Sequence, residues 1–308
     1  MLTFTFDPLD RADAHRRDPA WLAQAIASPD ARAVVLTGQG PLIADGAPLL
    51  LAPGGARAAG ASGDPILLGL RDGTPLFALD VPGGLELDGL ADDARVVDLR
   101  AAAAGMSAGD AGLLAHAAAL VQWHRVTGFC ARCGSPTVSE EAGHVRRCIA
   151  HGHQHFPRTD PVIIVLVTDG DRVVLGRQPS WPARRYSALA GFVEPGETLE
   201  SAVARELREE ARIEVSHIRY IASQPWPFPG SLMLGFRARW AGGEPSVGDP
   251  ELEDVRWFTR EQVLAGQQGE WFTREEPAEP GPLILPPKMA IARSLLDGWL
   301  RAGRRAAR

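Results

Sequence analysis

The chain is short of several things, and each shortage excludes something. Three cysteines, an odd number, are too few for a disulfide framework and leave metal binding open. No apolar run approaches membrane-spanning length. The opening residues, MLTFTFDPLDRADAHRR, mix acidic and basic side chains at once and lack the order of a secretion signal, so a cytoplasmic location is expected. Positive charge is not in excess: 32 Lys and Arg stand against 38 Asp and Glu, a net charge of −6. That gives no bulk electrostatic footprint for nucleic acid. A protein of this charge acting on an anionic substrate must place positive charge locally, from metal ions or chosen arginines. What remains is ordinary for a soluble globular chain, 45% apolar and 23% charged. A length of 308 residues suggests two domains with room for a small insert.

The most informative stretch runs from Gly191 to Ile213, GFVEPGETLESAVARELREEARI. Thr198 is placed to cap a helix, accepting from an otherwise unpaired N–H of the first turn. Leu199 to Ala211 contains no Gly or Pro and is dominated by strong helix formers. On that helix Glu206, Glu209 and Glu210 fall at i, i+3 and i+4 and share a side, beside an apolar stripe of Val203 and Leu207. Clustered carboxylates repel each other, and a divalent cation reverses that sign. All-oxygen ligands suit Mg²⁺ or Mn²⁺ rather than zinc. The competing reading is a solvated acidic helix with Arg205 and Arg208 as partners.

A second constellation is Cys130-x2-Cys133, fourteen residues, then Cys148-x2-His151. Two close pairs separated by a loop can present four ligands tetrahedrally to one zinc ion, with Gly134 in the tight turn. His153 and His155 lie near enough to substitute for His151. A saturated four-ligand site is structural rather than catalytic.

Around these stretches the chain reads as three segments: 1–125 with a linking helix, a ribbon over 126–156, and 157–308. In the first, Trp21 to Ile26 reads as a short helix and Ala33 to Leu36 as a strand. Ile66 to Leu70 and Leu76 to Leu79 form a hairpin about Asp72-Gly73. Gly38 to Asp64 is expected to be loop-like, and Ser107 to His124 a helix. His116 and His124 are expected to be packed or exposed rather than functional. ILLGLRDGTPLFALD in this segment echoes IIVLVTDGDRVVLGR from Ile163 onward. The plain reading, that any two hairpins share this grammar, is favoured over common descent. In the last segment Val162 to Val167, Glu214 to Ile221 and Leu232 to Trp240 read as strands, and a final helix reaches about Leu300 before a basic tail, Arg301 to Arg308.

Between two of those strands lies Ser223-Gln224-Pro225-Trp226-Pro227-Phe228-Pro229-Gly230-Ser231. Alternating prolines stiffen it, and flat aromatics on a stiff segment can stack on nucleobases.

The glutamate stretch resembles the Nudix box, G-x5-E-x7-R-E-U-x-E-E-x-G-U with U apolar, at eight of nine specified positions. The departure is Arg212 in place of glycine, which removes no carboxylate. The proline–aromatic segment resembles SQPWPFPxS of the NADH pyrophosphatase branch of that family, and the cysteine spacing belongs to the same branch, which has a fourth cysteine where His151 stands. The resemblance implies an α/β fold: a Nudix-type mixed β-sheet sandwiched between helices, a zinc-ribbon insert and an N-terminal α/β domain. It implies hydrolysis of NAD(H) to AMP and nicotinamide mononucleotide, and removal of NAD caps from RNA 5′ ends. It implies Mg²⁺ or Mn²⁺ for catalysis, one structural Zn²⁺ per chain, and a homodimer.

By the same resemblance Glu206, Glu209, Glu210 and Glu251 are catalytic metal-site residues, with Ala190 beside them, and Glu197 and Arg205 hold loop and helix in register. Glu251 is selected as the carboxylate six residues ahead of Trp257. Glu253 and Asp254 are left as a solvated acidic turn. Substrate contacts are expected from Ser223, Gln224, Pro225, Trp226, Pro227, Phe228, Pro229 and Ser231, and from Phe156 and Ala292, the latter on the segment from Leu285 that closes the pocket. Zinc is expected on Cys130, Cys133, Cys148 and His151. Two other readings stand beside this one: a Nudix hydrolase for another nucleoside diphosphate such as ADP-ribose, and a non-catalytic zinc-ribbon and Nudix module that binds nucleotide or RNA.

Overall fold

A computed structural model describes residues 2–5, 9–83, 85, 87, 89–268 and 281–306. The chain divides into two compact units. One holds Thr3–Thr159 together with Pro225–Gly230; the other holds Asp160–Gln224 and Ser231–Arg308.

In the first unit, strand β1 (Arg32–Thr37) lies between β2 (Leu50–Leu51) and β4 (Thr74–Val81), and β4 pairs with β3 (Ser62–Arg71). β1 and β4 run parallel, from Arg32 opposite Leu76 to Thr37 opposite Val81. β3 and β4 form the expected hairpin, with Asp72 and Gly73 both in the left-handed region that a tight two-residue turn needs. Period-two alternation splits the apolar side chains between two faces. Val34, Leu36, Leu68 and Ala78 pack with Leu113, Leu114, Ala117 and Val121 of helix α2 (Ala108–Val126). Ala33, Val35, Leu67 and Phe77 pack with Ala25 of helix α1 (Pro19–Ala27) and with Ala56. The stretch 38–64 is more ordered than its Gly and Pro content suggests. It contains short strands at Leu42–Ala44 and Leu50–Leu51 and a helix at Pro53–Ala58, where Pro53 stands at the first helical position and needs no N–H.

The ribbon belongs to this unit. Strand β5 (Thr137–Glu140) pairs with β6 (Val145–Cys148), and β6 with β7 (Gln154–His155), all antiparallel. His124 and His144 fasten it, each donating its Nε2–H to a backbone carbonyl, Gly143 O at 2.8 Å and Leu67 O at 2.7 Å. His124 also meets Arg146 at 2.9 Å. It is a packed histidine, as expected.

The second unit is built on strand β8 (Asp160–Thr168), a near-continuous buried run. The sheet order is β11 (Glu214–Trp226), β12 (Ser231–Gly242), β8, β9 (Arg172–Arg177), β13 (Asp254–Thr259), with β10 (Leu189–Phe192) also paired to β8. β8 and β12 are parallel and the other pairs of β8 antiparallel, so the sheet is mixed. Ile163, Val165 and Val167 face helix α3 (Leu199–Ala211), meeting Ala202, Val203, Leu207 and Ala211. Ile164 and Leu166 face helix α4 (Ile291–Ala306), meeting Leu295, Leu296 and Trp299. One helix on each face seals a strand that is apolar on both, as the sandwich reading required. β11 runs five residues past Ile221 and carries Pro225 near its end. It lies at the edge of the sheet, where a missing N–H breaks no interior ladder. α4 continues past Leu300 to Ala306, so most of the expected tail is helical, and residues 307–308 lie outside those described.

Candidate active site

Helix α3 begins where the sequence places it. Thr198 Oγ1 accepts from Ser201 N at 3.2 Å. Val203 and Leu207 are fully buried in the sheet-facing stripe, and that burial sets which way the glutamates point. Glu210 is 7% exposed and one of its oxygens, Oε2, has no partner. Burial, then the charges of Glu206, Glu251, Asp249 and Glu209, push its carboxyl up to about 8. Glu206 is also raised, first by burial, against the opposing pull of Arg205.

Arg205 is the cationic hub. Its Nε and Nη2 donate to the two oxygens of Glu197 at 2.7 and 2.9 Å. Its Nη1 donates to Glu206 Oε1 at 2.9 Å and Glu209 Oε2 at 3.0 Å, and Nη2 reaches Phe192 O at 2.9 Å. These bonds hold Glu197 down to about 2. Helix, preceding loop and strand β10 are thereby tied at one side chain. Gly191 on β10 completes the fit: a Cβ there would lie 2.0 Å from the Glu206 carboxylate carbon. The strand has no side chain at 191 because the carboxylate occupies the space. Ala190, beside it, is half-buried and registers with Ile164.

Glu251 lies on the segment that joins β12 to β13. Ser246 N donates to Ala211 O at 3.1 Å and Gly248 N to Glu210 O at 2.9 Å, which pins the incoming segment to the end of α3. Asp249 Oδ1 then accepts from Glu251 N at 2.8 Å. Sequence reasoning missed Asp249; its only signal was its place two residues ahead of Glu251. Glu253 is solvent-exposed and pairs with Arg177 at 3.0 Å, and the partly exposed Asp254 accepts from the Tyr186 hydroxyl and pairs with Arg256. The donor set is oxygen only, crowded with like charge, and includes a buried oxygen with nothing bonded to it. The chemistry of that donor set suits a hard divalent cation, but no three of its carboxylate oxygens lie within 4.8 Å of one another, so the side chains must draw together to hold one. Arg205 holds Glu206 and Glu209 to one side.

Arg212 has φ 55° and ψ 33°, the left-handed conformation at a helix end that glycine enters without a Cβ penalty. A non-glycine residue there costs about 1–2 kcal/mol. Arg212→Gly is expected to raise the melting temperature by a few degrees without altering any metal requirement; an unchanged or lower melting temperature counts against this.

The proline–aromatic segment behaves differently from the expectation at several positions. Gln224 is fully buried, its Nε2 donating to Met289 O at 2.7 Å and its Oε1 accepting from Ile291 N at 2.8 Å. Both ends of the amide are used to hold the start of α4, so its expected role in binding substrate is corrected to a structural one. Ala292, in the first turn of α4, is 3% exposed and packs into the core. Trp226 and Phe228 are half-buried and pack edge-on with each other at 5.1 Å and with Phe4 at 6.1 and 6.0 Å. Arg100 stacks over Phe228 at 3.8 Å. Pro227 is buried, Ser223 and Ser231 half-buried, and Pro225, Pro229 and Phe156 exposed.

In the ribbon, the ligating atoms of Cys130, Cys133, Cys148 and His153 lie within 4.8 Å of one another, and among the described residues no other such group is found. Cys133 Sγ is 3.5 Å from Cys148 Sγ, and Cys130 Sγ is 3.5 Å from His153 Nδ1. Tetrahedral zinc, with Zn–S about 2.3 Å and Zn–N about 2.05 Å, has S···S edges of about 3.8 Å and S···N edges of about 3.6 Å. The cluster fits that ion. The expected ligand His151 is corrected to His153, because Cys148 N donates to His153 O at 2.8 Å and folds residue 153 back beside the thiols.

Comparison with known families agrees with both centres. A NUDIX domain model matches residues 157–277, an NADH pyrophosphatase zinc ribbon model residues 125–156, and an NADH pyrophosphatase-like rudimentary NUDIX model residues 30–123. The chain belongs to the NADH pyrophosphatase-type Nudix hydrolases. It is 45% identical over 212 residues to the NAD-capped RNA hydrolase NudC of Mycobacterium bovis, covering 67% of this chain and 66% of that one. It is 41% identical over 206 residues to the NAD-capped RNA hydrolase NUDT12 of Homo sapiens, covering 62% of this chain and 42% of that one. A solved NUDIX hydrolase from Nitrosomonas europaea is 26% identical, with a TM-score of 0.39, covering 44% of this chain and 79% of that one. The rudimentary-domain match also corrects the reading of the two hairpins. The echo between Ile66–Asp80 and Ile163–Arg177 reflects two Nudix-like domains, of which the first lacks the glutamate helix.

Proposed function

We propose that this Nudix chain hydrolyses the pyrophosphate bond of NAD(H), giving AMP and nicotinamide mononucleotide, and cleaves the same bond at NAD-capped RNA 5′ ends. The observation that carries this reading is Glu210: a buried carboxyl with an unpaired oxygen, facing the charges of Glu206, Glu209 and Glu251. A buried acid so placed is poised to exchange its proton for a cation. Mg²⁺ or Mn²⁺ held there would neutralise pyrophosphate oxygens and lower the pKa of the attacking water. Glu206, Glu210 and Glu251 are the holding residues, with Glu209 as a further ligand or the base. Arg205 keeps Glu206 and Glu209 from collapsing away from the site, and Glu197 anchors Arg205. Asp249 fixes the backbone that presents Glu251. The relatives' printed activity on NAD-capped RNA supports the substrate class. The zinc ribbon is structural, with one Zn²⁺ per chain. No helix among the described residues is long and apolar enough to cross a membrane.

Product analysis with NADH, NAD-capped RNA and ADP-ribose, each with Mg²⁺ or Mn²⁺, tests this. AMP and reduced nicotinamide mononucleotide from NADH are expected. Turnover of ADP-ribose alone, or tight binding of NADH with no turnover, overturns it.

A further inference from the structure

Side chains of strand β12 alternate between the two faces of the sheet. Phe236 and Ala238 join the core under α3, which leaves Arg237 between them to face α4. A long cation is thereby aimed at a helix whose inner face is apolar. Arg237 is half-buried, and its Nη2 donates to Leu295 O at 3.3 Å. Leu295 lies in the second turn of α4, so its carbonyl is not among the unpaired last four of the helix and needs no outside donor. Arg237 Nε is buried with no partner.

Room for this side chain comes from Gly298. A Cβ there would lie 2.4 Å from Arg237 Nη2 and 3.8 Å from Nη2 of Arg301, three residues further along the helix. Glycine inside a helix is destabilising relative to alanine. Here it clears the space in which two guanidinium ends converge. Burial first, and then the charge of Arg301, lowers Arg237. Among the described residues no carboxylate pairs with either arginine, and Asp297 between them on α4 is held by Arg293 at 2.9 Å.

Half-burying one cation beside another, with no anion to offset either, costs free energy. A bound anion reverses that sign. Guanidinium forks match phosphate oxygens two at a time, and the exposed Arg301 leaves the place open to solvent. We propose that Arg237 and Arg301, converging over Gly298, form an anion site that takes a phosphate group, either of free phosphate or of the RNA backbone. It lies on the α4 face of the sheet, whereas α3 with its glutamates packs on the other, so it is separate from the chemistry assigned to them.

Thermal melts of the full chain test this. Phosphate is titrated against chloride at fixed ionic strength, without added Mg²⁺ or Mn²⁺, so that no cation at the glutamates can hold phosphate. Wild type should gain a few degrees at phosphate well above a Kd on the order of 1 mM. Arg301→Ala should need about 10-fold more phosphate for the same gain. Gly298→Ala should behave likewise and still fold, because the added methyl meets only the free end of a long side chain. Acetate, singly charged, should stabilise wild type far less. Uncapped single-stranded RNA separates the two sources. Weaker RNA binding by both variants, with a salt slope reduced by about 1, assigns the site to the RNA backbone. Unchanged RNA binding beside a lost phosphate response assigns it to free phosphate. NADH hydrolysis should be the same in wild type and both variants; its failure in all three would count against the proposed activity and leave the phosphate result standing. Equal gains from phosphate and chloride in wild type, acetate matching phosphate, or a full phosphate response in either variant overturns the site.

Discussion

Replacing Glu210 by glutamine is expected to lower kcat by roughly 100- to 1,000-fold, the scale of losing a fixed charge at a reacting centre, while the protein still folds. Glutamine keeps the shape and fills the same buried space beneath the sheet-facing stripe of α3. It removes a buried carboxylate that has an unpartnered oxygen and four acidic neighbours. The consequence for stability has the opposite sign. In the metal-free protein the folded-state carboxyl titrates at about 8, well above its ordinary value of 4.5. A raised acid stabilises the fold fully below its unfolded value, and that contribution is lost as pH climbs from about 4.5 through 8. Metal-free Glu210→Gln should therefore be more stable than metal-free wild type at pH 8 to 9, with the gap closing toward pH 5. Thermal melts across that range check the sign. Near-normal kcat at saturating Mg²⁺ would remove Glu210 from the mechanism.

Gly191→Ala is the second large effect. The added methyl would sit 2.0 Å from the Glu206 carboxylate carbon, a distance no pair of carbons tolerates. Either β10 gives way or Glu206 swings out. β10 is held by its register with β8, from Val162 opposite Phe192 to Val165 opposite Leu189, so the side chain should move. Displacing a catalytic group by about 1 Å costs on the order of 100-fold in rate. The loss should fall on kcat/KM with far less effect on folding, because Glu206 contributes little to the apolar core. A variant with wild-type kcat/KM would show that Glu206 does not need its observed position.

Both effects depend on features that differ in how readily the sequence discloses them. Helix α3 was legible to the residue, from Thr198 to Ala211, because its cap, composition and apolar stripe are all local. So was the hairpin at Asp72-Gly73, since strand periodicity and turn chemistry are short-range signals, whereas the sheet sandwiched between helices followed from the family resemblance. What escaped was set by long-range pairing. Gln224 reads as a free amide in an aromatic segment, and only its bonds to Met289 and Ile291, far along the chain, make it structural. Asp249 gains its role from the pinning of residues 246 and 248 to the end of α3. His153 displaces His151 because a backbone bond from Cys148 decides which ring faces the thiols. The stretch 38–64 hid its short strands behind glycine and proline, since Leu50–Leu51 is fixed by pairing with β1 and Leu42–Ala44 by pairing with Arg95–Val96, not by their own pattern. Trp226 and Phe228 look like an open stacking surface in sequence, whereas Phe4 and Arg100 cover part of it.

The central claim is that a cation replaces a proton on the buried carboxyl of α3. Titrating metal-free protein with Mn²⁺ at pH 7 in two buffers of different ionisation enthalpy, by calorimetry, measures that exchange directly. Binding in wild type should release close to one proton per site, and Glu210→Gln should bind Mn²⁺ more weakly and release none. Tight Mn²⁺ binding with no proton release in wild type, unchanged in the variant, would contradict the account.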